Sequence, residues 1–96
     1  MTREDVKEDA LNWTDEDTLQ YCKKDPNFSA KYQLILKQMN ERLCDRQDYI
    51  DAADKDILEW TTNTMYYIAT QKNYNRDDLD YKILIAILHD YQDLYG

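Results

Sequence analysis

Three side chains are of the types that bind soft metals or act as nucleophiles and bases: Cys22, Cys44 and His89. A structural zinc site takes four Cys or His ligands, usually in closely spaced pairs. Here the cysteines stand 22 residues apart without a CxxC, and there is one histidine. The set is too small, so no metal and no cofactor is expected. Both cysteines read as reduced, half-buried small hydrophobes of a cytoplasmic protein, because two cysteines make no disulfide framework. His89, between Leu88 and Asp90 near the end of an apolar helix, reads as a partly buried structural histidine favoured by the helix dipole rather than as a catalytic base.

Carboxylates are the abundant chemistry. The 96 residues carry 20 Asp and Glu against 12 Lys and Arg, a net charge of −8. Nine of the acids (Glu4, Asp5, Asp15, Glu16, Asp17, Asp25, Asp77, Asp78 and Asp80) fall at or just inside expected helix starts. There a carboxylate gains about 0.3–1 kcal/mol from capping and the macrodipole. Seven others crowd into residues 41–59: Glu41, Asp45, Asp48, Asp51, Asp54, Asp56 and Glu59, against Arg42, Arg46 and Lys55. Like charges at i,i+4, as in Glu41 and Asp45, cost a helix a few tenths of a kcal/mol. Aspartate is also the poorer helix former, yet the chain uses 15 Asp and 5 Glu. Helix stability did not select this stripe.

A calcium loop needs alternating oxygen ligands, a glycine at its sixth position and a glutamate at its twelfth. Asp48-Tyr49-Ile50-Asp51-Ala52-Ala53 has neither the alternation nor the glycine. Phosphate-cradling loops such as GxGxxG cannot be written with Gly96 alone. Paired carboxylates could serve hydrolysis, but no nucleophile or pocket-forming loop accompanies them, and no enzyme is expected. With a pI near 4.4, direct nucleic-acid binding is not expected either.

The acidic stripe reads instead as a surface for a protein partner with a basic face. A nucleic-acid-handling enzyme, inhibited or regulated by electrostatic competition, is the best match. The expected contact residues are Glu41, Asp45, Asp48, Tyr49, Asp51, Asp54, Asp56 and Glu59. Tyr49 joins them because a tyrosine among acids has the large area and polar tip of an interface residue. Nineteen helical residues cover about 27 Å, over which duplex DNA carries roughly 16 phosphates. Seven carboxylates make at most a partial nucleic-acid mimic. Small acidic helical proteins occur among phage-encoded antagonists of host restriction, CRISPR or transcription machinery, an analogy of composition. The alternative is a structural or homo-oligomeric helical subunit, a homodimer for instance, assembled through a tyrosine-rich face that includes Tyr66 and Tyr67. The segment 18–40, with Lys23, Lys24, Lys31 and Lys37 against Asp25, is expected to complement the acidic stripe within the molecule.

The elements that must carry these residues are helices. One glycine and one proline leave little for hairpins and tight turns, and no apolar run reaches the ~20 residues that span a bilayer. No n-region and h-region pattern is read ahead of the first helix, and no signal segment is expected. The expectation is an all-α, compact bundle of about four helices in a single domain over residues 1–96, the first helix open to splitting in two. Thr2 and Thr14 begin capping signatures, the first ahead of Val6, Ala10 and Leu11 and the second ahead of Leu19, Tyr21 and Cys22. Pro26 breaks the chain. Phe28, Tyr32, Ile35, Met39 and Leu43 then mark one face of a long helix ending near Asp45–Asp48. Ile50, Ala53, Ile57, Trp60 or Thr61, Met65 and Ile68 mark the next, weakened at Thr61-Thr62-Asn63-Thr64. Lys72–Arg76 reads as a loop, Asn75 or Asp77 as a cap, and Leu79–Leu94 as a central helix, apolar on most of its circumference. Tyr32, Tyr81 and Tyr91 are expected to put their rings in the core and their hydroxyls at its edge.

Overall fold

The computed structural model describes the backbone of residues 1–49 and 54–96 and the side chains of residues 1–45 and 55–96. Thr2 and Thr14 each close a full capping box. The threonine hydroxyl accepts from the backbone N–H three residues on, and Asp5 or Asp17 accepts in return from the threonine N–H. These boxes start α1 (Arg3–Asn12) and α2 (Asp15–Lys24), so the first helical segment is two helices and the described residues form five. Asp25 ends α2, and Pro26 opens α3 (Pro26–Tyr49), where its missing N–H costs nothing. The remaining helices are α4 (Asp54–Gln71) and α5 (Leu79–Tyr95). No strand occurs among the described residues.

α4 runs unbroken through Thr61, Thr62 and Thr64, whose hydroxyls each donate to the carbonyl four residues back at 2.7–2.8 Å. That bond lets Thr61 and Thr62 be buried. The helix stops without glycine. Asn73, at φ 54, takes the left-handed conformation, and the N–H groups of Asn73 and Tyr74 reach back to the carbonyls of Thr70 and Ala69. This is a Schellman ending with asparagine where glycine is usual. The loop then leads to Asp78, not Asn75 or Asp77, as the N-cap of α5. Its carboxylate is engaged by the Asn75 N–H at 2.8 Å and leaves the first turn uncapped.

α5 is the hub. Tyr81, Ile83 through Leu88 and Tyr91 are all buried, and α1, α3 and α4 pack around them. A helix apolar on nearly every side is stable only when neighbours cover it all round. α3 contributes Phe28, Met39 and Leu43, with Tyr32, Ile35 and Leu36 at the margin; α4 contributes Ile57, Met65 and Ala69. Ile50 and Ala53 lie outside the described residues. α1 buries Val6 and Ala10, whereas Leu11 and Leu19, counted as apolar-face residues from the sequence, are 66% and 48% exposed. A ten-residue helix offers one narrow contact stripe, and neither leucine lies on it. α2 buries no residue completely. It is attached by stacked rings, Trp13–Tyr21–Phe28–Tyr32, with centroids 5.2–6.5 Å apart. No helix among the described residues is long and apolar enough to cross a membrane.

Candidate functional site

Residues at i, i+3 and i+4 share one side of a helix, and on α3 this groups Gln33, Leu36, Lys37, Asn40, Glu41, Cys44 and Asp45. They line a shallow, open surface depression of about 530 Å³ along that one helix. Leu36 and Asn40 also border a second groove of about 350 Å³ with Asp90, Tyr91, Asp93 and Leu94 of α5, so the two form one continuous surface. Apolar groups lie along it, including Leu94 at 70% exposure.

Of the eight residues expected to contact a partner, Glu41, Asp45 and Asp56 are exposed and have no hydrogen bond or ion pair among the described residues. Glu8 and Asp77 share that condition elsewhere on the surface. Glu59 is held by Arg3 at 3.0 Å. Asp48, Tyr49 and Asp54 stand on described backbone, but their side chains, like the whole of Asp51, lie outside the described residues. The structure thus brings Glu41 and Asp45 to one groove, with Asp56 and Glu59 on α4.

The expected pairing of the 18–40 lysines with the acidic stripe is not what the described residues form. Lys31 bridges to Asp80 of α5 at 3.3 Å, and Lys23, Lys24 and Lys37 form no ion pair among the described residues. The lysines face the wrong neighbours: α3 packs on α2 and α5, and Asp80 is the acid within reach. Cys22 and Cys44 are both free thiols, Cys22 partly buried as expected. Cys44 is exposed, contrary to the half-buried reading, because it lies on the groove side of α3 beside buried Leu43. Tyr66 and Tyr67 divide, the first packing on the core and the second 62% exposed.

Apart from Glu8 and Asp77, the other acids among the described residues are engaged within the fold. Asp9 of α1 accepts two hydrogen bonds from the Arg76 guanidinium, at 2.5 and 2.8 Å, and a third from the Tyr81 hydroxyl at 2.5 Å. The Arg76 bond holds the Asp9 carboxyl below the usual carboxylate range. Tyr91 donates to Asn40 at 2.5 Å and Tyr32 donates to Asp90. The Tyr81 and Tyr91 rings are core, the Tyr32 ring packs at its margin rather than inside it, and all three hydroxyls reach polar groups. Burial pushes the Tyr91 hydroxyl up to about 12 and those of Tyr32 and Tyr81 well above the usual tyrosine value. Burial likewise raises the Asp90 carboxyl.

His89 gathers a cluster that sequence spacing announces only in part. Its Nδ1 lies 3.2 Å from the Ala10 carbonyl oxygen, and its Nε2 lies 3.1 Å from Asp15 Oδ1 and 3.2 Å from Asp93 Oδ2. Asp93 sits one turn beyond His89 on α5, a relation readable in advance; Asp15 arrives from 74 residues away through the fold of α2. These carboxylates converge on a partly buried imidazole, and Asp93 borders the same surface as Leu94 and Leu36.

Comparison with protein-family models, with curated proteins and with solved structures found no match to this chain.

Proposed function

We propose that this protein is a non-catalytic, acidic binding protein whose α3–α4 side docks on the basic surface of another protein. The observation that carries the reading is the state of Glu41 and Asp45. Both are exposed, neither has a partner within the described fold, and both rim a groove that includes Leu36 and Cys44. Apolar floor and charged rim are the anatomy of a protein interface. Carboxylates left unpaired on an already negative molecule repel one another until a cationic partner neutralises them.

A nucleic-acid-handling enzyme has such a basic face, and the protein would regulate or inhibit it by competing for its cleft as a partial mimic of nucleic acid. The free thiols of Cys22 and Cys44 fit work in a reducing compartment such as the cytoplasm.

The test uses the full chain as bait in extracts of its native cell, beside a variant carrying Glu41→Lys, Asp45→Lys and Asp56→Lys. A partner retained by the native chain, lost by the variant and released as salt rises from about 50 to 500 mM supports the reading. Equal retention of the same partner by both baits refutes it. Concentration-dependent self-association of both forms by light scattering, with no captured protein, would favour the homo-oligomeric alternative.

A further inference from the structure

Both ring nitrogens of His89 face hydrogen-bond acceptors. The Ala10 carbonyl oxygen, 3.2 Å from Nδ1, has no proton to give, so Nδ1 is the donor there. A neutral imidazole then presents the bare lone pair of Nε2 to two carboxylate oxygens, at 3.1 and 3.2 Å. Three electron-rich atoms meeting at one point require a cation among them, either a proton on Nε2 or a metal ion. From this geometry we infer a divalent transition-metal site made by Asp15, His89 and Asp93, of the zinc class, with its remaining coordination positions open.

The dimensions fit. Zinc binds imidazole nitrogen and carboxylate oxygen at about 2.0–2.2 Å, so two neighbouring ligands in tetrahedral geometry stand roughly 3.4 Å apart. Both N···O separations are close to that value, and all three ligand atoms lie within 4.8 Å of one another. The Asp15 and Asp93 side chains are 80% and 57% exposed, free to rotate and close the last edge, while the imidazole is 13% exposed and fixed. The Ala10 carbonyl supplies the outer hydrogen bond that metal-bound histidines nearly always make, setting tautomer and ring plane. One imidazole with two carboxylates favours zinc or a neighbouring transition ion over calcium or magnesium, which prefer oxygen alone.

The site also has work to do. Asp15 is the first residue of α2, which buries no residue completely, and His89 and Asp93 belong to the hub helix. A cation there clamps α2 to α5 beside the end of α1. The count of cysteines and histidines missed it because neither cysteine takes part and carboxylates supply two of three ligands.

Calorimetric titration of zinc chloride into the full chain, with Cys22→Ser and Cys44→Ser to remove thiolate ligands, tests the inference. One equivalent should bind. Asp15→Asn and Asp93→Asn should each weaken binding at least tenfold with circular dichroism unchanged, and His89→Ala should abolish it. Nitrogen NMR of the unsubstituted side chain should show the His89 Nε2 resonance move with zinc while the Nδ1 proton persists. Zinc binding that survives both Asn substitutions unweakened overturns the site. So does a His89 resonance unmoved up to millimolar zinc, which would leave the cluster a protonated ion pair.

Discussion

Two regions of this molecule use the same residue type in opposite ways. On the α1–α5 side, Asp9 receives three hydrogen bonds, Asp90 receives the Tyr32 hydroxyl, and Asp15 and Asp93 converge on His89. On the α3–α4 side, Glu41, Asp45 and Asp56 bond to nothing among the described residues. A carboxylate engaged within the fold is part of its stability and is expensive to change. One left in water costs the fold little and is available to another molecule.

The comparison can be broken most decisively by charge reversal. The Glu41→Lys, Asp45→Lys, Asp56→Lys variant should lose at least a hundredfold in partner affinity, about 2.7 kcal/mol, with its urea midpoint nearly unchanged. A large loss of stability instead would show that these acids hold the fold. Next in size, Asp9→Asn should cost about 1–2 kcal/mol by urea unfolding, because it weakens a bidentate, charge-assisted pair. The native protein should show the matching pH dependence. The Asp9 carboxyl is held below its unfolded value of about 3.8, so the folded state binds that proton less readily. Its contribution is full well above pH 4 and is lost as the pH falls through the lowered folded value; Asp9→Asn should flatten that acid limb.

Alkaline titration of the tyrosines sharpens the contrast further. Groups whose folded values are raised stabilise the fold below their unfolded value near 10 and cease to do so as pH rises through the folded one. Absorbance at 295 nm should therefore show Tyr32, Tyr81 and Tyr91 ionising well above 10, together with unfolding. A single transition of all nine near pH 10 would contradict the buried hydroxyl bonds. The smallest effect belongs to Asp45→Asn, which should change stability by less than about 0.5 kcal/mol.

Local features of the fold were legible in the sequence, because they rest on neighbouring residues. The Thr2 and Thr14 boxes, the break at Pro26, the Phe28–Met39–Leu43 face and the apolar circumference of α5 are all short-range patterns. What could not be read was which surfaces meet. Leu11 looked like a core residue until α1 was seen to offer one narrow stripe. The lysines of 18–40 looked complementary to the acidic stripe until Lys31 was found against Asp80. Asp15 had no visible relation to His89 across 74 residues. Asn73 carried a weaker signal, as the usual substitute for a glycine the chain lacks. Glu41 and Asp45 were legible for the converse reason: they stood out as residues that local helix stability would not choose.

The hub helix follows the other four described helices in chain order, so it is synthesised after the surfaces it organises. α1 to α4 leave the ribosome before the surface that organises them has been made. Until Leu79–Tyr95 follows, Met65, Ile57, Phe28 and Val6 have no common helix to bury against, and the α1–α4 and α2–α3 contacts are the main ones open to the nascent chain. Packing of α1, α3 and α4 around the hub therefore waits for α5, unlike domains that build up from the N-terminal end as they are synthesised. A chain interrupted before Leu79 would keep mainly the α1–α4 and α2–α3 contacts and lose the helix that joins them.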